Sequence, residues 1–256
     1  MKRRILATAT LLSTINLGVP AIAENLEHTQ QLLSTKQCQQ CDLSSAGLVM
    51  TDLSGAQLSQ ADLRRANLSR ANLSGANLRG ANLSGASLYG VNLVGADLTG
   101  ANLTNTDLRD SYLVNANLVG TSLSNAYLQG AIGIPSSAGT SEDFYKWALI
   151  EAQVGNYKGA IEHYNQVLSL NPKFAAAYLG RGVAHYRLGN ETGATQDVKI
   201  ASQLFSAEGN KVGSQASQNF LQGMELARQP TKTEGGGSNF LNFLGGIGSL
   251  LLRFLF

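Results

Sequence analysis

Leucine stands at every fifth position from Leu43 to Leu128, eighteen times in succession. A period of five suits neither the 3.6-residue turn of a helix nor the two-residue alternation of a flat strand. A regular short period marks a stacked solenoid instead. Two residues before each leucine the side chain is small. It is Ala in most repeats, with Cys41, Thr51, Val91, Thr106, Ser111 and Thr121 as exceptions. The residue between is mostly Asn or Asp, and Gly recurs two residues after the leucine, as at Gly75, Gly80, Gly85, Gly95 and Gly100. Small, polar, leucine is the in-out-in alternation of a short strand, and the pair that follows has turn chemistry. After Ile134-Pro135 the pattern changes: residues 135–140 read as a linker, and aromatic and charged residues then return with helical spacing.

The repeat Ala-(Asn/Asp)-Leu-x-x resembles the hallmark of the pentapeptide-repeat family over residues 41–132, within a rod domain expected at 41–134. That resemblance implies a right-handed quadrilateral β-helix, one repeat per side and four repeats per coil. Eighteen repeats then make about four and a half coils and, at strand spacing, a rod of about 20 Å. Leucines should fill the centre, and the small site should stay small because four sides converge there. Cys41 falls on that inward site. On the outside, Ser54, Ser74, Val94 and Val114 form one column, extended by Val119 and Tyr112 into a mildly apolar face. Arg64, Arg65, Arg70 and Arg79 gather towards the other end.

The segment 141–206 carries Trp147, Gly155-Asn156-Tyr157, Ala160, Tyr164, Leu168 and Asn171-Pro172. Thirty-four residues beyond their counterparts come Gly189-Asn190, Ala194 and Val198. These offsets resemble two tetratricopeptide repeats, each a helix-turn-helix unit. The fold class expected is therefore α+β, a β-helix followed by a small α-helical tetratricopeptide-like domain. Two repeats bury little by themselves. Residues 207–229 supply a capping helix, with Val212, Ala216, Phe220 and Met224 on one stripe. The resemblance implies a concave groove at Tyr145, Leu149, Gln153, Leu179, Val183, Tyr186 and Arg187, more apolar and aromatic than charged. It suits an extended protein or peptide partner, or packs against the chain's own neighbouring parts.

Residues 230–238 include Gly235-Gly236-Gly237-Ser238, the composition of a linker. The tail, 239–256, is apolar, with Phe240, Leu244, Ile247, Leu251 and Phe254 on one side of a projected helix. Its length and Arg253 are marginal for crossing a bilayer. Association with a membrane surface and docking on the protein's own groove or on another copy both fit.

At the other end, Lys2, Arg3 and Arg4 precede an apolar run and Ala21-Ile22-Ala23, the pattern of a signal peptide over residues 1–23. Residues 24–40 are a capping segment in which Leu26, Leu32 and Leu33 cover the first coil. Removing the leader leaves 16 Lys/Arg against 17 Asp/Glu, a net charge of −1. Between residues 42 and 130 stand six Asp and five Arg, without Glu or Lys. That balance is wrong for binding nucleic acid, and the long negative columns of a DNA mimic that inhibits topoisomerases are missing. Cys38 and Cys41 are the only cysteines. Asp42 follows them, so the haem-attachment pattern fails, and no histidines are spaced to complete a zinc site. In an oxidising compartment they could form a disulfide. His28, His163 and His185 lie in no catalytic pattern, so no enzymatic role, cofactor or metal is implied.

The combination resembles exported cyanobacterial proteins, which implies the periplasm or the thylakoid lumen. The function expected is a non-enzymatic exported scaffold for protein–protein interaction, in assembly of a membrane complex. A redox-responsive role for Cys38 and Cys41 and a purely structural envelope role are the alternatives.

Overall fold

Each five-residue repeat closes one side of a coil. In the computed structural model, which describes residues 25–228 and residue 251, all sixteen bridges of the rod are parallel. They join residues twenty apart, from Gln37–Gln57 to Tyr112–Ile132. Four repeats therefore make one turn, and the coils stack in register. The strands expected from the alternation are reduced to single-residue bridges, because a corner follows every leucine.

Corners explain the remaining sequence preferences. The amide of each small residue donates to the carbonyl of the preceding leucine, as Ala76 N does to Leu73 O at 3.0 Å. The residue before it takes positive φ, as at Gly75 (65°), so the corner has the type II pattern. Asn105 (φ 56°) and Arg65 (φ 57°) adopt the same conformation without the freedom of glycine. The Asn or Asp before the leucine also has work to do. Its Oδ1 accepts from the amide two residues on, as in Ser84 N to Asn82 Oδ1 at 3.2 Å and Thr99 N to Asp97 Oδ1 at 3.0 Å. These turns satisfy an amide that no coil reaches.

Inside, the leucines from Leu43 to Leu118 and the intervening alanines are buried. Where threonine replaces alanine, its hydroxyl donates to a leucine carbonyl: one coil back for Thr106 Oγ1 to Leu83 O at 3.0 Å and Thr121 Oγ1 to Leu98 O at 2.8 Å, and within its own corner for Thr51 Oγ1 to Leu48 O at 2.8 Å. Outside, the apolar face is present: Val114, Val119, Tyr112, Tyr127 and Ile132 are exposed. The arginines are partly neutralised. Arg64 closes onto Asp62 at 2.6 Å and Arg79 reaches Asp97 at 3.0 Å.

The helix α1 (Leu26–Thr35) lies over the first coil. Leu32 is fully buried there, but Leu26 and Leu33 are 72% and 52% exposed. Only one leucine of the expected three faces the coil, since positions 26 and 33 lie on the sides of the helix away from Leu32. Cys38 and Cys41 are joined in a disulfide, both buried in this lid.

Beyond Ile134 a single 3₁₀ turn (Ser136–Ala138) leads into five helices: α2 (Ser141–Gln153), α3 (Tyr157–Leu170), α4 (Ala175–Arg187), α5 (Glu191–Ala207) and α6 (Lys211–Arg228). A capping box of Thr140 and Asp143 starts α2. Asn156, Asn190 and Asn210 start α3, α5 and α6, each accepting from the amide of a glycine three residues on. Successive helices pack as antiparallel pairs. At Gly180 a Cβ would clash with the Tyr164 ring, so α3 and α4 approach at a residue that must have no side chain. On α6, Ala216, Phe220 and Met224 are buried as the stripe requires. Val212, placed on that stripe by its spacing, is exposed instead; Gly213 takes the place against Phe205. The leader, the linker 230–238 and the tail residues Phe240, Leu244, Ile247 and Phe254 lie outside the described residues.

Candidate functional site

The helices α2 and α4 carry the residues that the repeat pattern assigns to a groove, with α6 following as the third helix. Those residues divide into floor and rim. Tyr145 and Leu179 are fully buried, and Leu149 is 7% exposed. Val183 and Tyr186 are half-buried, while Gln153 and Arg187 are exposed. Tyr145 stands in an aromatic nest, 4.8 Å from the Phe174 ring and 6.0 Å from Tyr164. Burial pushes its phenol far above the ordinary value, so it is a hydrogen-bond donor at any pH the protein meets. Its Oη donates to the carbonyl of Leu251 at 3.0 Å, across 106 residues of chain. Tyr186 meets Phe220 edge to face at 5.7 Å, which ties α4 to α6. Arg187 lies 6.0 Å over the Tyr157 ring, at the rim.

Behind the groove one ion pair holds three helices. Arg181 binds Asp197 through two nitrogens at 2.7 and 2.8 Å and Asn165 through a third at 2.7 Å. Asp197 is buried, so the fork geometry of arginine is needed to satisfy it.

A second concavity lies where the rod ends. A cleft of about 590 Å³ separates the last coil, at Ser122, Ser124, Asn125 and Gln129, from Lys146, Trp147 and Glu151 of α2. In the rod, each amide two residues after a leucine donates to a carbonyl of the next coil, as Asp110 N does to Gln129 O at 2.9 Å. Gly130 has no next coil. Its amide donates to Glu151 Oε1 at 2.6 Å, while Glu151 Oε2 accepts from Asn156 at 2.8 Å. A carboxylate from α2 thus stands in for the missing carbonyl. His163 completes the junction, 6.2 Å from Phe144 and 6.0 Å from Trp147. Burial pulls its imidazole down to about 4, so it is neutral near neutral pH.

Glu151, His163 and the Arg181–Asp197 pair were not singled out as site residues by sequence reasoning. A carboxylate on a helix ordinarily reads as solvated surface. The available signal for Glu151 was its place beside Trp147 and Ala148, four and three residues back on the same side of α2. Cys38 and Cys41 lie far along the chain from the groove, sealed under α1, and contribute nothing to it. Among the described residues no group of three or more His, Cys, Asp or Glu could hold a metal ion. No helix among them is long and apolar enough to cross a membrane.

With this geometry in view, comparison with known proteins identifies the modules. Residues 37–75, 66–105 and 101–132 match the family described as pentapeptide repeats, and residues 148–189 match a tetratricopeptide repeat family. A curated relative, the photosystem I assembly protein Ycf3 of Cyanophora paradoxa, is 35% identical over 65 residues, covering 25% of this chain and 38% of its own. A solved pentapeptide repeat protein of the Arabidopsis thaliana thylakoid lumen is 35% identical, with a TM-score of 0.27, over 40% of this chain and 57% of that one. Another, from the cyanobacterium Cyanothece 51142, is 26% identical, with a TM-score of 0.21, over 41% of this chain and 92% of its own. The chain thus spans less than two thirds of the curated relative and of the lumenal protein. Residues 37–132 therefore carry pentapeptide repeats, and residues 148–189 a tetratricopeptide repeat.

Proposed function

We propose that the chain is a non-enzymatic exported scaffold that holds a protein partner in the groove of its helical module. The observation that carries this reading is the graded groove itself. A rigid aromatic floor at Tyr145 and Phe174 is followed by half-buried Val183 and Tyr186 and by an exposed polar rim at Gln153 and Arg187. An apolar centre with a polar rim is what protein recognition uses. The Glu151–Gly130 bond fixes that groove against the rod, so a held partner would be presented in one orientation. Assembly of a membrane complex is the role we favour, supported by the 35% identical segment shared with a photosystem I assembly protein. Export is supported by the basic-then-apolar start of the chain and by the disulfide of Cys38 and Cys41.

The test is affinity capture from an extract of the exported compartment. Leu149 is buried and would compromise folding, so rim substitutions are the cleaner probe. Val183→Asp with Arg187→Glu should abolish capture of the partners that wild type retains, without changing the thermal midpoint by more than a few degrees. Retention of the same partners by the double variant sinks the groove reading. A redox role requires the two sulfurs to cycle. Thiol trapping that labels Cys38 and Cys41 in the folded protein under mild reductant would favour that rival.

A further inference from the structure

We infer that the groove is a receptor for an apolar segment that offers a backbone carbonyl to Tyr145, and that its resident occupant is the chain's own tail around Leu251. The inference rests on the proposed groove reading and deepens it, since it states what kind of partner the groove takes and what that partner must displace.

Tyr145 is fully buried, and a buried donor left without a partner is costly. No group of α2, α3 or α4 meets its Oη. The acceptor is the carbonyl of Leu251, and the Leu251 side chain is itself only 3% exposed, within the same apolar core as Tyr145, Leu179 and Phe220. The neighbouring Tyr164 hydroxyl is buried with no partner. The aromatic nest therefore does not satisfy its own polar atoms; satisfaction at Tyr145 comes from a segment that arrives from outside the repeats. The occupant has the matching chemistry. Asn239 to Phe256 is a run rich in Leu and Phe, ending in Leu250-Leu251-Leu252-Arg253-Phe254.

Tethering decides the consequence. Residues 229–250 connect α6 to Leu251, so the occupant competes at an effective concentration on the order of millimolar. A short apolar peptide in solution loses that competition. A partner succeeds only if it makes more contacts than the tail, as a long apolar segment of a membrane protein would. When it does, Leu251 leaves the core and the apolar tail that carries it is released at the same moment. Binding a partner and baring an apolar tail are then one event.

The test uses the full chain and a soluble carrier protein bearing residues 239–256 at its C-terminus as the probe, with binding read by fluorescence anisotropy. Wild type should bind the carrier weakly, because its own tail holds the site. Leu251→Asp in the full chain should vacate the groove and bind the carrier at least tenfold more tightly, and adding Val183→Asp should abolish that gain. Equal binding to wild type and Leu251→Asp overturns the inference. If Leu251→Asp loses its helical circular dichroism, the milder Leu251→Ala is read instead: it weakens the resident tail, leaves the Tyr145 donor for the carrier, and should tighten carrier binding at least threefold, with no change overturning the inference. A concentration-dependent dimer of wild type that Leu251→Asp dissolves would assign the occupant to a second copy and overturn the intramolecular arrangement. Tighter carrier binding by Leu251→Asp together with no partner in the extract would leave this inference standing and remove the proposed function. Unchanged carrier binding with partner capture lost on Val183→Asp/Arg187→Glu would do the reverse.

Discussion

The two ends of the rod solve one problem in two ways. A stack of coils ends in amides and carbonyls that would have paired with the next coil. At the first coil the solution is a dedicated lid. The helix α1 buries Leu32, the Cys38–Cys41 disulfide lies beneath it, Lys36 O accepts from Gln57 N at 2.8 Å, and His28 Nδ1 accepts from Asp42 N at 3.2 Å. At the last coil the solution is borrowed from another module. Glu151 of α2 meets Gly130, while among the described residues no backbone carbonyl pairs with the amides of Leu118, Leu123 or Leu128. Between that edge and α2 lies the 590 Å³ cleft. The closed end is built for stability alone. The open end trades part of its closure for a fixed connection to the groove.

The sharpest way to break this comparison is to remove a leucine from each end. Leu43→Ala leaves a cavity beneath the lid and should cost about 3 to 4 kcal/mol. Leu123, already partly exposed, should cost no more than about 1 to 2 kcal/mol when changed to Ala. Denaturant unfolding of both variants measures the difference, and equal losses would mean that the open end is as tightly packed as the lid.

Acid should act on the open end. Burial holds the His163 imidazole at about 4 rather than its ordinary 6.5. As the pH falls below 6.5 the unfolded chain takes up a proton that the folded chain refuses. Stability is therefore intact above that value and falls across the window from 6.5 to about 4, by about 3 kcal/mol. Thermal midpoints recorded across this window should decline, and His163→Phe should flatten the decline. An unchanged slope in that variant would assign the effect elsewhere.

Glu151→Ala should come next. It leaves the Gly130 amide and the Asn156 side chain without their acceptor, at a cost of about 2 kcal/mol. Glu151→Gln keeps an acceptor oxygen and should lose about half as much. Hydrogen exchange at the Gly130 amide reads the bond directly, and protection undiminished in Glu151→Ala would refute the cap. The smallest effect belongs to His28→Ala, about 1 kcal/mol. The disulfide and Leu32 still hold that lid, so the exchange rate of the Asp42 amide should rise more noticeably than the melting point falls.

Periodicity made the rod legible. Leucine every five residues, a small residue two before it and Asn or Asp between are three independent demands of one corner geometry. Each appears in the structure as burial, close packing or an accepted amide. The helical module was legible as helices for a similar reason, because Gly-Asn pairs punctuate it. Its details were not. Seven groove residues follow from the repeat pattern, yet Tyr145, Leu149 and Leu179 lie in the floor, since sequence spacing gives the side of a helix and not the depth at which a neighbour covers it. Val212 failed for the same reason, whereas Leu26 lies on a side of α1 turned away from the buried Leu32. Glu151 and Leu251 were harder still. Their partners, a glycine amide and a tyrosine hydroxyl, lie 21 and 106 residues away, and no local pattern announces such a pairing.

The bond between Gly130 and Glu151 also constrains how such a chain can change its length. Coils repeat every twenty residues and every repeat is one side. Inserting a single pentapeptide would carry the rod's last corner round by roughly a quarter turn, and the helical module with it. The groove would then look out over a different face, with the column of Val94 and Val114 no longer in its former bearing. Only insertions or losses of four repeats together return the module to its original heading. Descendants of this architecture should therefore differ in steps of whole coils. The rod acts as an indexing shaft, and its count of repeats is a setting for direction as much as for reach.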